Sequence, residues 1–159
     1  MRKAHDSPLF LLDANACNAL QKSCELNELE TLARAGVIDL LYTETTWDEA
    51  QFGSRRRGVK ASEFFFLGLP NDHENLAIQN PWRTAIAQVV FPTGVTSENQ
   101  RRDVEALLTV KLSGGCFVTR DGASKTQPGG ILGHKPQLAQ LGIEVLNFTE
   151  ALARARSAA

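Results

Sequence analysis

At 159 residues, with 43% hydrophobic and 22% charged residues, the chain can bury a core without a disulfide framework and lies far from the disordered class. Its formal net charge of -1 excludes a surface coated in positive charge, so contact with a nucleic acid has to come from a local patch. No segment approaches the roughly 20 apolar residues of a membrane span, and the run Pro8 to Leu12 is too short for a signal-peptide core.

A single cytoplasmic domain over residues 1–159 is therefore expected. LFLLD, residues 9–13, is short, continuous and apolar, as a strand covered on both faces would be. ANACNALQ and CELNELETLARAG then show helical spacing, with Leu26, Leu29, Leu32 and Ala33 on one face and Gly36 as the stop. VIDLLYTE, residues 37–44, is rich in strand formers, and TTWDEAQFG reads as a helix start in which Thr46 and Glu49 have the spacing of a capping box.

Residues 54–96 form a less legible, mainly helical region. SRRRG reads as an exposed turn, SEFFFLGL as a short apolar helix, and PWRTAIAQVVF as a helix opened by Pro81 at its first position. TSENQRRDVEALLTVKLSGG restores a strong pattern, with Ser97 as N-cap and Gly114-Gly115 as terminator. CFVTRD is a buried strand. A glycine-rich loop, a short helix PQLAQLG, a strand IEVLNF and a last helix from about Thr149 complete the chain. Strands alternating with helices imply an α/β architecture, a three-layer α/β/α domain with a mainly parallel central sheet.

Cys17, Cys24 and Cys116 are odd in number and lack Cys-x-x-Cys spacing, so they read as small buried or half-buried hydrophobes. His5, His73 and His134 are scattered and read as surface or loop residues.

Four acids stand out. Asp13 and Asp121 each end a predicted strand, where open parallel sheets bind ligands. Asp103 falls within the apolar arc of its helix, between Ala106 and Val110 on one side and Val104 and Leu107 on the other, and a charge there is costly to bury without a partner. Glu49 follows the second strand by about a helical turn, with Glu44 and Asp48 close enough to compete. Each also has a plainer reading: Asp13 and Asp121 as turn or cap residues, Asp103 as a rim residue or partner of Arg101 or Arg102, Glu49 as half of its capping box. Were they to converge, carboxylates 4 Å apart would repel by about 4 kcal/mol per pair at an effective dielectric of 20. Protonation or a divalent cation would offset that, and an all-oxygen set favours Mg²⁺ or Mn²⁺.

LLDANACNAL, YTETTWDEA, RDVEALLTVKLSGGCFVTRDG and GIEVLNFTEAL, which together span most of the chain, resemble the PIN domain. That is the fold of many metal-dependent ribonucleases, including toxins of bacterial toxin–antitoxin pairs. The resemblance implies that Asp13, Glu49, Asp103 and Asp121 form a catalytic, metal-binding quartet, with Asn15 two residues after the first acid and the Thr119 hydroxyl supporting the last. It also implies an RNA substrate, and it makes an antitoxin and a homodimer the expected protein partners. Gly53 to Thr96 matches no family motif, and Gly122 to Gly133 lacks the aromatic residue that often follows the last acid.

In such a site the metal activates a water for in-line attack on a phosphodiester, and a carboxylate accepts its proton. The chain lacks a Walker loop, a GxGxxG turn, a Gly-x-Ser-x-Gly elbow and an Asp-x-Asp pair. Arg55, Arg56 and Arg57, with Lys60, are the dense basic run, read either as RNA phosphate contacts or as a solvated loop. Single-stranded or looped RNA enters such a crevice more easily than a duplex. The competing readings are a catalytically silent PIN-like module that binds RNA or protein, and a small-molecule-binding α/β domain.

Overall fold

The computed structural model describes residues 7–19, 23–43, 66–67, 73–122 and 129–159. Strands β1 (Leu9–Leu12), β2 (Asp39–Thr43), β3 (Phe66–Leu67), β4 (Cys116–Val118) and β5 (Glu144–Leu146) form one sheet in the order β3-β2-β1-β4-β5. Every pairing is parallel. The described helices are α1 (Ala14–Ala19), α2 (Cys24–Arg34), α3 (His73–Val90), α4 (Glu98–Ser113), α5 (Lys135–Gln140) and α6 (Phe148–Arg156), with a 3-10 turn at Ile131–His134.

Strand side chains alternate between two apolar layers, which is why the short strands read as continuous hydrophobic runs. Phe10, Leu12, Leu40, Tyr42, Val118 and Leu146 pack in one layer with Leu26 and Leu29 of α2 and Phe148 and Leu152 of α6. Leu11, Phe117 and Val145 face the other way, onto Ile86 of α3, Val104, Leu107 and Leu108 of α4, and Leu138 of α5. Burying each such side chain contributes about 1.5–3 kcal/mol, so this two-sided pattern supplies the main force closing both layers.

Local signals set the helix ends. Ser97 and Gln100 form a capping box at the start of α4, and Gly114, at φ 73, ends that helix in the left-handed conformation that glycine adopts without a side-chain clash. Asn147 and Glu150 make a second box and start α6 one residue before Thr149. Ser23 caps α2, accepting from the Leu26 amide at 3.4 Å.

The expected three-layer α/β/α architecture with a mainly parallel sheet is present, and all pairings among the described strands are parallel. Three local expectations fail. Within SEFFFLGL, Phe66–Leu67 is a strand on β2, because an unbroken aromatic run has no period and the free edge of β2 supplies hydrogen bonds. Pro81 lies inside α3 instead of opening it. It removes one amide donor, but the helix continues past it to the half-buried Trp82 and the buried Ile86, which anchor its second half to the core. Cys24 is exposed, because it is the first residue of α2 and turns to solvent, whereas Cys116 is buried.

Candidate active site

The chain runs outward from β1 to β2 and β3, then returns to place β4 on the other side of β1. Ligands in open α/β sheets bind in the crevice where strand order reverses in this way. Asp13 directly follows β1 and Asp121 lies three residues beyond β4, so both belong to that crevice. The sequence could not supply this pairing, which joins strands about a hundred positions apart.

Asp13 is buried at 6% exposure, and its amide donates to the Val118 carbonyl at 3.0 Å, extending the ladder by one step. Its Oδ1 accepts the Ala14 amide at 2.7 Å; its Oδ2 accepts the Thr119 hydroxyl at 2.6 Å and the Asn15 amide at 3.3 Å. Hydrogen bonds to a carboxylate are among the stronger kind, and three of them fix its orientation. Thr119 is fully buried and works in both directions, since its Oγ1 also accepts the Asp121 amide at 3.0 Å. The hydroxyl expected to support the last acid therefore ties the first acid to the last.

Asp121 is half-buried. Its Oδ2 accepts the Ile131 amide at 2.9 Å and its carbonyl accepts that of Leu132 at 2.9 Å, which draws the returning loop against it. A Cβ on Gly130 would lie 2.4 Å from the Gly122 nitrogen and 2.7 Å from Asp121 Oδ1, so this contact needs a residue without a side chain.

The opposite wall is helical. Asp103 sits half-buried on α4, next to the buried Val104 and Ala106, and reaches the same cleft through helical spacing alone. Asp13, Asp103 and Asp121 thus line one cavity of about 560 Å³, together with Asn15, Phe91, Asn99, Gln100 and Gly130. No Lys, Arg or His is among its described lining residues.

Glu49, with its alternatives Glu44 and Asp48, lies outside the described residues, as do Thr46 and the run Arg55, Arg56, Arg57 and Lys60. Phe91, Asn99, Gln100 and Gly130 are site residues that the sequence does not mark. Gly130 left a faint signal in the Gly129-Gly130 pair; the others line the cleft only because α3 and α4 pack together.

Among the described residues no three of His, Cys, Asp and Glu stand close enough to hold a metal ion. The donor set is nonetheless all oxygen, the kind preferred by Mg²⁺ and Mn²⁺, and Mg²⁺ usually keeps several of its own waters. The cavity has room for such waters between carboxylates that do not themselves form a cage.

No protein-family model matches the chain, and no curated protein matches it in sequence. Solved structures do. The VapBC2 complex from Rickettsia felis, bound to a DNA fragment from its promoter, contains a chain that aligns with a TM-score of 0.56 at 14% identity, over 87% of this chain and 98% of that one. A chain of FitAB bound to an IR36 DNA fragment aligns with a TM-score of 0.51 at 15% identity, over 87% and 94%. Both are toxin–antitoxin complexes with PIN domains, and the likeness identifies the fold of this chain as PIN-like.

Proposed function

We propose that this chain is a Mg²⁺- or Mn²⁺-dependent endoribonuclease that hydrolyses phosphodiester bonds of single-stranded or looped RNA, and that it is the toxin of a toxin–antitoxin pair. One observation carries the reading: carboxylates from the ends of β1 and β4 and from α4 line a single cleft at the strand-order reversal of a PIN-like fold. The toxin role rests on the likeness to the two complexes, and with it come an inhibitory antitoxin, a homodimer and a cytoplasmic location. No described helix is long and apolar enough to cross a membrane.

In this reading Asp13, Asp103 and Asp121 hold the ion, with Glu49 as the fourth acid. Once bound, a divalent ion lowers the pKa of a coordinated water and offsets charge on the phosphate. The chain's own part is to hold Asp13 and Asp121 in register through Thr119, and to accept a proton at whichever carboxylate faces the attacking water. Asn15 steadies Asp13 from solvent. Arg55, Arg56, Arg57 and Lys60 are assigned to RNA phosphates flanking the cut.

A second reading, the catalytically silent module that binds RNA or protein, is favoured by one feature. The described acids do not by themselves make a three-ligand metal site. Cleavage of end-labelled single-stranded RNAs in Mn²⁺, with and without chelator, separates the two. The enzyme reading expects cleavage that chelator abolishes and that falls about 100-fold or more in Asp121→Asn. Intact RNAs across several sequences would favour the silent module.

A further inference from the structure

Next to the acid cleft lies a second hollow of about 470 Å³, between α3 and α4. Ala87, Val95 and Val104 give it apolar walls, and its charged groups are Arg101 and the Arg83–Glu105 pair. Phe91 is the one residue that the two described linings share, so it forms the partition between them. Its position is well defined: the Phe91 amide donates to the Ala87 carbonyl at 2.8 Å, and its carbonyl accepts the Gly94 amide at 2.9 Å in a turn where Gly94 has φ 104.

The two hollows differ in chemistry. The cleft presents three carboxylates and no described base, whereas the hollow is lined by two guanidinium groups against one carboxylate, by aliphatic walls and by Phe91, half-buried and packed against the core beneath. The Arg101 side chain is 69% exposed and pairs with the similarly exposed Glu98 at 3.4 Å, a surface pairing that contributes little. Arg83 donates from Nε and Nη2 to both Glu105 oxygens, and this bond holds its pKa above the ordinary arginine value. It is therefore a fixed part of the wall. A nucleotide has a matching division: a flat base that stacks on aromatic rings, joined to a phosphate that a guanidinium can grip.

We propose that the hollow behind Phe91 is a nucleobase subsite. One base of a single-stranded RNA stacks on the Phe91 ring, with a neighbouring phosphate on Arg101, while the adjoining phosphodiester lies over Asp13, Asp103 and Asp121. The proposal rests on the ribonuclease reading and adds to it the residue that grips the strand beside the cut.

The test is fluorescence anisotropy of a labelled single-stranded oligoribonucleotide with the full chain carrying Asp121→Asn, so that the probe survives. In that background Phe91→Ala is expected to weaken binding about 5- to 150-fold, the range for removing one stacked base, and Phe91→Tyr to restore it. An oligonucleotide lacking its base at the responsible position should bind equally well with and without the Phe91→Ala change. Arg101→Gln should weaken binding a few-fold and reduce its salt dependence. Unchanged affinity in a folded Phe91→Ala protein, with Asp121-dependent cleavage intact in the parent, would overturn the subsite and leave the nuclease standing. If Phe91→Ala alters oligomeric state but not RNA affinity, the hollow is a protein interface and the proposal fails. A parent chain that neither binds nor cuts RNA removes both.

Discussion

Two regions of the molecule, the α2/α6 periphery and the acid cleft, handle charge differently. On the α2/α6 side, charges at the periphery are paired: Arg156 donates two hydrogen bonds of 2.7 Å to Glu28, and Arg154 stands 3.5 Å from Glu144. On the α3/α4 side, Asp13, Asp103 and Asp121 share a cleft whose described lining holds no basic side chain. The first arrangement closes a layer and contributes little beyond that, since exposed ion pairs are weak. The second gathers three carboxylates in one cleft, where the proposed function would seat a cation. On that proposal the first is a packing face and the second a binding cleft.

The largest effect expected from disturbing this contrast is at Thr119. Thr119→Val keeps the shape but removes the hydroxyl joining Asp13 to the Asp121 amide, so that each loses one hydrogen bond. A loss of about 1–3 kcal/mol in urea unfolding is expected, with reduced Mn²⁺ affinity. A substitution that altered stability alone would place Thr119 with the packing face.

Next comes a pair of neutralisations with opposite consequences. Asp103→Asn should lessen the rise in melting temperature produced by Mn²⁺. Glu28→Gln, on the closed face, should leave that rise intact and lower the melting temperature slightly or not at all.

The effect that is smallest at neutral pH concerns Cys116. Burial first, and then its 3.0 Å hydrogen bond to Glu144, push this thiol up to about 12 from the ordinary 9.0. The folded chain keeps a proton that the unfolded chain releases, so the contribution is complete below pH 9 and declines as pH rises towards 12. Unfolding of Cys116→Ala should show a shallower loss of stability across that window.

Much of the fixed wall was legible in the sequence because strand ends carry punctuation. LFLLD and CFVTRD each stop an apolar run on a polar residue, and the spacing of Thr119 and Asp121 has local meaning. The adjacency of β1 and β4 was not legible, because strand pairing at long separation leaves no local trace. Asp103 stood out through helical periodicity, but Asn99 and Phe91 look like ordinary residues of a helix start and a turn, and become walls only through the packing of α3 on α4. Pro81 misled because proline favours a first turn, and the anchoring of Ile86 in the core outweighed that preference. SEFFFLGL misled because its aromatic run suits either element until an edge strand is in place to pair with it.

The most direct measurement is Mn²⁺ binding to the full chain by calorimetry, with Asp13→Asn, Asp103→Asn and Asp121→Asn beside the parent. Saturable binding by the parent is expected, sharply weakened in Asp13→Asn and Asp121→Asn and less so in Asp103→Asn. Equal affinity in all four proteins, or no binding by the parent, would contradict that expectation.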